Sequence, residues 1–470
     1  MLLDKLRVPC PATEKYVHSH DYMFYFNIND VMKKALLIVP TVAVAFLLTG
    51  CRNCHQANIK IVELRSEGRE LPSLNIDPSH CRPEGAEATL RSIRYVPGKP
   101  IYYMDYTAKV DWESILTDET HQTQVFDFKG VTNRINDALF DETYQTGKPE
   151  YRGAACSGFI CHNSKGEMLN CRNYDGDYGE MVVVFNHNVK PGEHKSVMMT
   201  DLSMSQMLSG TPGYEGEKVL LREGTDVNVL LRQPVAIIDG MNDAGLVLTS
   251  YQLPDFQDEE GSIVDPFESP TPRPRAINQN TGKPQVSFTA LHYLILTTCE
   301  TVEDAIDLFH SYDYITLFRD LNIHWCISDA NNNWKTLEYW KEEDGTDSLY
   351  VFDEEARSKS AFLGNHNIAY EYMSMENYYY NPVPSSTFYM DYWQREFGGV
   401  FRAHNMMHHY SLIMDEEEAL QCLQYGNFGI EVPGQVTDWS CVYNSKQKTI
   451  LFNVRDDMDK AFTIDLKKEF

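Results

Sequence analysis

The chain has 470 residues, 43% hydrophobic and 12% aromatic, with a formal net charge of −27. That composition describes a globular protein with a large core and argues against long disorder. An acidic chain without a basic stripe excludes a nucleic-acid binder, whose phosphates need clustered Lys and Arg, and its charge supports solubility more than it names a partner.

The first informative segment in chain order is MKKALLIVPTVAVAFLLTGC, ending at Cys51. Lys33 and Lys34 precede an apolar run from Ala35 to Leu48 that is too short to span a hydrocarbon core of ~30 Å, which predicts a secretory signal over 32–51. The ending Leu48-Thr49-Gly50-Cys51 resembles the lipobox of bacterial lipoproteins. That resemblance implies lipidation of Cys51, export, and anchoring of the protein at a bacterial envelope membrane through the lipid alone. Residues 1–31 are then an upstream extension, with translation starting at Met32. Cys51 to His55 also spells C-x-x-C-H, the attachment motif of c-type haem. Cys51 already has a role, however, and no compact helical haem domain follows. Cys54 and Cys81 fall on the exported side, where disulfides persist; their pairing is left open.

Residues 52–155 are expected to form a tether and pro-segment. The stretch 52–70 is polar, RSIRYVPGKPIYYMDYTAKV suggests strands, and GVTNRINDALFDETYQTG suggests a helix. GKPEYRGAA, just before Cys156, is a run of turn-forming and small residues of the kind where chains are cut.

From Cys156 onwards strands dominate, and the main domain is placed at 156–470. CSGFICH and EMLNCRNY flank the polar turn NSKG as a hairpin, EMVVVFNHN and HKSVMMTDL read as two more strands, and PVAIID and GLVLTSYQL form a further pair. Residues 252–285 are rich in Pro, Gly and acids and suggest a long surface loop. FTALHYLILTTC and TVEDAIDLFHSY show helical spacing, with Thr301 and Asp304 placed as a capping box. NIHWCISDANNNWKTLEYW and WSCVYNSKQKTILFNV read as hairpins. Strands, then paired helices, then strands predict an α+β fold with helices packed on antiparallel sheets.

The chemistry concentrates in AACSGFICHNSKGEMLNCRNYDGDYG. With a loop at 163–166, Cys156 is expected opposite Asn173, with Arg172 one step away and Asp175 close by; a one-residue change in loop length would put Arg172 directly opposite. A guanidinium near a thiol favours the thiolate. If cleavage makes Cys156 N-terminal, its α-amino group titrates near ~7.7–8 and can act as general base for the thiol. A carboxylate such as Asp175 can hold that amine. Cys161 and Cys171 read as packing residues inside strands. As zinc ligands the three cysteines have the spacing C-x4-C-x9-C, without the C-x2-C knuckle of common zinc sites.

Here the chain resembles a known family. CSGFICHNSKGEMLNCRNYD is similar to the start of mature choloylglycine hydrolases, the linear-amide C–N hydrolases of the N-terminal-nucleophile (Ntn) superfamily. These include conjugated bile salt hydrolases and penicillin V acylases, with acid ceramidase-like amidases as relatives. In the family a cysteine is followed sixteen residues later by the Arg of G-R-N-x-D, as Cys156 is by Arg172, with Cys171 in place of Gly. IIDGMNDAGLVLTSYQLP resembles its D-G-x-N-E-K-G-L segment and points to Gln252 in the oxyanion hole, where relatives carry Asn or Tyr. SAFLGNHNI resembles its T-N-x-P segment and points to Asn365 as the second oxyanion contact.

The resemblance implies a four-layer αββα sandwich, with Cys156 as nucleophile, Arg172 tuning it, Asp175 holding the amine, and no metal or organic cofactor. It implies a small-molecule N-acyl amide substrate with an apolar acyl group and, as in acid ceramidase-like relatives, self-cleavage before the cysteine. The last hairpin, TDWSCVYNSKQK, lacks the Arg of S-R-F-V-R in many bile salt hydrolases, so a broad N-acyl amidase ranks ahead of a bile salt hydrolase. Acyl transfer on the same fold and a lipoprotein binding module with unprocessed Cys156 are the alternatives. Association with further copies of the chain is left open. Among bland readings, Arg172 and Asp175 are a strand-end ion pair, Asn242 is a turn residue in MNDAG, and His324 is a core histidine.

Overall fold

The segment MVVVFN carries an unbroken apolar run, which suits a strand covered on both faces. In the structure, a computed structural model, Val182 and Val184 point into one buried core and Met181, Val183 and Phe185 into another. The residues described are 59–71, 76–118, 128–143, 155–176, 180–202, 227–253, 277–316, 322–341, 344–352, 362–364, 413–425, 436–455, 457 and 459–470.

The strands before the first long helix pair are β1 (Lys60–Glu63), β2 (Arg69–Glu70), β3 (Arg94–Tyr95), β4 (Ile101–Tyr106), β5 (Thr117–Asp118), β6 (Ala155–His162), β7 (Met168–Gly176), β8 (Met181–Asn186), β9 (Ser196–Asp201), β10 (Ile237–Asn242) and β11 (Val247–Leu253). There follow β12 (Gln285–Val286), β13 (Asp313–Tyr314), β14 (Asn322–Ser328), β15 (Trp334–Lys341), β16 (Asp347–Phe352), β17 (Phe362–Gly364), β18 (Val436–Asn444), β19 (Thr449–Val454) and β20 (Lys460–Asp465). Among the described residues they form a seven-stranded sheet, β1-β20-β19-β18-β7-β6-β17, a ten-stranded sheet, β16-β15-β14-β11-β10-β9-β8-β4-β3-β2, and a small three-stranded sheet, β13-β12-β5.

The two larger sheets pack face to face. Tyr174, Trp439, Tyr443 and Phe452 of the first meet Val183, Phe185, Met199 and Tyr251 of the second. Behind the ten-stranded sheet, helices Phe128–Leu139, Phe288–Thr298 and Val302–Ser311 share a core with Val182, Leu248 and Trp325. Behind the seven-stranded sheet lies helix Glu416–Tyr425, where the Leu423 carbonyl accepts from Asn173 Nδ2 at 2.8 Å. The layers are helix, sheet, sheet, helix, an α+β sandwich. Thr301 caps its helix as expected, accepting from the Asp304 N–H at 3.1 Å while Asp304 Oδ2 accepts from the Thr301 N–H at 2.8 Å.

The segment ahead of Cys156 is built into this frame. It supplies β1 to one sheet and β2, β3 and β4 to the other. β4 lies between β8 and β3, pairs parallel with β8, and buries Ile101, Tyr102, Tyr103, Met104 and Tyr106 across both cores. Stripping five such side chains from the core would cost up to about 10 kcal/mol. After a cut before Cys156, the N-terminal piece is therefore expected to stay bound. Size exclusion would give one peak that resolves into two bands only under denaturing conditions; two separate native peaks would contradict this packing.

Candidate active site

The polar turn decides which residues meet. Asn163 N–H donates to the Glu167 carbonyl and Gly166 N–H to the Asn163 carbonyl, both at 2.9 Å, and Gly166 has φ +76°. Left-handed backbone of this kind is cheap for glycine, and the Asn163 side chain locks the loop by accepting from the N–H groups of Lys165 and Glu167 at 3.0 Å. The resulting register sets Cys156 opposite Tyr174, Gly158 opposite Arg172 and Ala155 opposite Asp175. This corrects the expected pairing of Cys156 with Asn173 by one residue.

A one-residue slip exchanges the faces of a strand. The observed register puts Cys156 and Tyr174 on the face between the sheets, with Arg172 beside them. Cys161 and Cys171 lie on the other face under helix Glu416–Tyr425, their sulfurs 4.0 Å apart.

From its diagonal position Arg172 Nη2 donates to Cys156 Sγ at 3.1 Å and to the Ser250 carbonyl at 3.0 Å. Its Nε lies 3.6 Å from Asp239 Oδ2, with both side chains fully buried. Tyr443 donates its hydroxyl to the same Asp239 oxygen at 2.9 Å. The guanidinium sits over the rings of Tyr174 and Tyr251, 5.1 and 5.8 Å from their centroids. Asp175, across from Ala155, accepts from the Thr437 hydroxyl at 2.5 Å.

Burial of the thiol outweighs the pull of Arg172. The Cys156 thiol is pushed up to about 11 by burial, with Asp175 and Asp239 adding to the rise and Arg172 opposing it. The sequence expectation of a lowered thiol pKa thus fails for the uncut chain, because desolvation disfavours the charged form. Burial also works against the charge on Arg172, but Asp239 and Cys156 beside it hold the guanidinium above its ordinary range. Burial raises the Asp239 carboxyl, against the opposing pull of Arg172 and Tyr443.

Arg172 Nη1, Asp239 Oδ1 and the Tyr251 hydroxyl are buried without a close hydrogen bond among the described residues, with only the looser approach of Trp439 to Asp239 and of Thr249 to Tyr251. Each such group costs about 1–3 kcal/mol. Their clustering around one thiol marks a place built for solvent or ligand rather than for stability alone.

No family model matches the chain, and no curated protein matches it by sequence. Among solved structures it is similar to the penicillin V acylase of Agrobacterium tumefaciens, at 16% identity and a TM-score of 0.40, over 67% of this chain and 87% of that one. It is similar to a mutant conjugated bile acid hydrolase of Clostridium perfringens at 14% identity and a TM-score of 0.41, over 67% of this chain and 93% of that one. A further variant of the latter enzyme aligns at 14% identity and a TM-score of 0.37, over 69% of this chain and 88% of that one.

Of the remaining sequence-derived candidates, Gln252 is in β11 in register with Ile323, one residue after Tyr251. Asn365 and Cys51 lie outside the described residues, although Gly364, just before Asn365, pairs with Ser157 beside Cys156. Asn242 serves its turn, accepting from the N–H groups of Ala244 and Leu246 and donating to the Cys299 carbonyl. His324 is fully buried, with Nδ1 3.5 Å from Glu338. Sequence reasoning passed over Asp239 and Tyr443. The available signal was an acid inside the apolar run AIIDG, since buried acids are nearly always paired.

Proposed function

We propose that the chain is an exported, lipid-anchored hydrolase of linear amide C–N bonds. It acts on N-acyl amides with an apolar acyl group, and Cys156 is the nucleophile once the chain is cut before it. The observation that carries this reading is the 3.1 Å contact between Arg172 Nη2 and Cys156 Sγ inside a buried polar network with unfilled hydrogen bonds.

In the uncut chain the thiol holds its proton, because burial dominates. Cleavage releases an α-amine on the same residue, with Asp175 across from the severed bond. That amine, titrating near ~8, takes the thiol proton. The sulfur, supported by Arg172, attacks the amide carbonyl carbon and opens the C=O bond to an oxyanion held by Asn365 and donors near Gln252. Collapse expels the amine, which takes the proton from the α-ammonium. Water then attacks the thioester carbonyl and frees the acid and the thiol.

The test is N-terminal mapping by mass spectrometry on wild type and Cys156→Ala, with turnover measured on long-chain N-acyl amides and glycine- or taurine-conjugated bile acids. We expect a new N-terminus at Cys156 in wild type and turnover reduced by about 10⁴-fold or more in Cys156→Ala. Release of only acylated amine, when a competing amine is added, would assign acyl transfer. An intact chain that no cysteine-directed acyl probe labels would overturn the enzyme reading. So would loss of turnover in Cys161→Ala with Cys156→Ala still active.

A further inference from the structure

A guanidinium removed wholly from water needs a counter-charge, since an unpaired buried ion costs several kcal/mol. Among the described residues Arg172 has two neighbours able to supply one, the Cys156 sulfur and the Asp239 carboxylate. They approach from different sides. Asp239 faces Nε at 3.6 Å, whereas Nη2 is left to the sulfur at 3.1 Å and the Ser250 carbonyl at 3.0 Å.

Asp239 is placed there by its strand. The pairing of β10 with β9 shifts register between Ile237 and Asp239. Irregularities of this kind re-aim side chains and are over-represented beside active sites. Here the shift accompanies an acid that reaches from the ten-stranded sheet to Arg172 on β7 and Tyr443 on β18, both in the seven-stranded sheet. The Tyr443 hydroxyl fixes one carboxylate oxygen at 2.9 Å.

We propose that Asp239 is a positioning residue of this site: by sharing the Arg172 guanidinium with Cys156 it sets how much positive field reaches the sulfur, and Tyr443 trims its share. The proposal rests on the reading of Cys156 as the nucleophile. A guanidinium between two acceptors supports each less than it would support one alone. Withdrawing negative charge at Asp239 therefore strengthens support for the thiolate, while removing the Tyr443 donor leaves Asp239 a stronger competitor. Among the described residues the other titratable groups facing Cys156 are Asp175 and Tyr174 from β7 and Tyr251 from β11, while Cys441 of β18 faces Arg172 and Asp239, and none of them is altered by these changes. Arg172 keeps its anchor on the Ser250 carbonyl and its seat over the two rings when Asp239 is replaced.

The experiment follows iodoacetamide alkylation of Cys156 against pH by peptide mass spectrometry. It uses the full chain as wild type, Asp239→Asn and Tyr443→Phe, with folding checked by circular dichroism and N-acyl amide turnover measured in parallel. Asp239→Asn is expected to lower the alkylation midpoint by about one pH unit, making Cys156 react about tenfold faster at pH 7. Tyr443→Phe is expected to raise the midpoint and slow alkylation several-fold. A midpoint that stays put or rises in folded Asp239→Asn overturns the proposal. Where Asp239→Asn does not fold, Tyr443→Phe decides: an unmoved or lowered midpoint overturns it. Alkylation needs no substrate, so a shifted midpoint with turnover surviving Cys156→Ala would retire the amidase reading and leave the coupling standing. The reverse pattern would retire the coupling alone.

Discussion

Replacing Gly158 by alanine is expected to destabilise the fold by about 3 kcal/mol or more. Gly158 is the β6 residue opposite Arg172. A Cβ there would fall well inside contact distance of the Cys171 carbonyl and of the Tyr251 hydroxyl. The carbonyl belongs to the neighbouring strand's backbone and moves only if the hairpin opens. The hydroxyl belongs to the ring beneath Arg172, so displacing it also disturbs the seat of the guanidinium. Gly166, in the turn of the same hairpin, supplies the contrast. It needs its positive φ, but a Cβ there meets nothing within 4 Å. Gly166→Ala should therefore cost only about 1 kcal/mol of backbone strain. Urea denaturation of both variants, with Gly158→Ala also combined with Tyr251→Phe, tests the ranking. The double change removes the hydroxyl and not the carbonyl, so it should recover only part of the loss. Gly158→Ala as stable as Gly166→Ala would mean that the two sheets are not packed this closely around Cys156.

That hairpin also marks how far local sequence reaches. NSKG announces a turn, yet only the left-handed Gly166 and the Asn163 side chain set the loop at a length that pairs Cys156 with Tyr174. One residue of ambiguity there exchanges the faces of the strand, and no composition signal resolves it. Alternating strands, the two long helices and the Thr301–Asp304 cap were legible because their causes lie within a few residues. β1 was not, because a short, largely exposed strand is recruited by a partner at the far end of the chain, Lys60 pairing with Lys460. Asp239 was opaque for the same reason, since its acceptor role depends on Tyr443, 204 residues away. The R-N-Y-D spacing anticipated that Arg172 and Asp175 would come close to Cys156. The charge state of its thiol stayed hidden because burial is a property of both sheets together, and burial outweighs the one guanidinium that the spacing reveals.

A second consequence of burial lies behind the ten-stranded sheet, where acidification is expected to destabilise the protein through His292. This residue sits in helix Phe288–Thr298 at 1% exposure, in a helix face otherwise filled by Phe288, Leu291 and Ile295. Its Nδ1 donates to the Ile237 carbonyl at 2.7 Å, and its Nε2 accepts from the Trp325 indole N–H at 2.8 Å. Both nitrogens are committed in the neutral ring. A second ring proton would point at the indole N–H, where no acceptor waits. Burial accordingly lowers the His292 pKa from 6.5 to about 4, with the Ile237 carbonyl opposing and Arg172 adding to the fall. Between these values the unfolded chain binds a proton that the folded chain refuses, so stability falls as pH falls through the window. The loss is roughly 2 kcal/mol between pH 7 and 5 and on the order of 3 kcal/mol once pH passes below the folded value. His292→Gln carries no proton to refuse. It should start less stable at pH 7, having lost part of the Ile237 and Trp325 contacts, but show a flatter stability profile from pH 7 to 5. Urea midpoints for wild type and variant across that range isolate the histidine from carboxylates that titrate lower, Asp105 and Asp141 among them. Parallel profiles would mean that the ring finds an acceptor for its second proton and that the indole contact does not fix its charge.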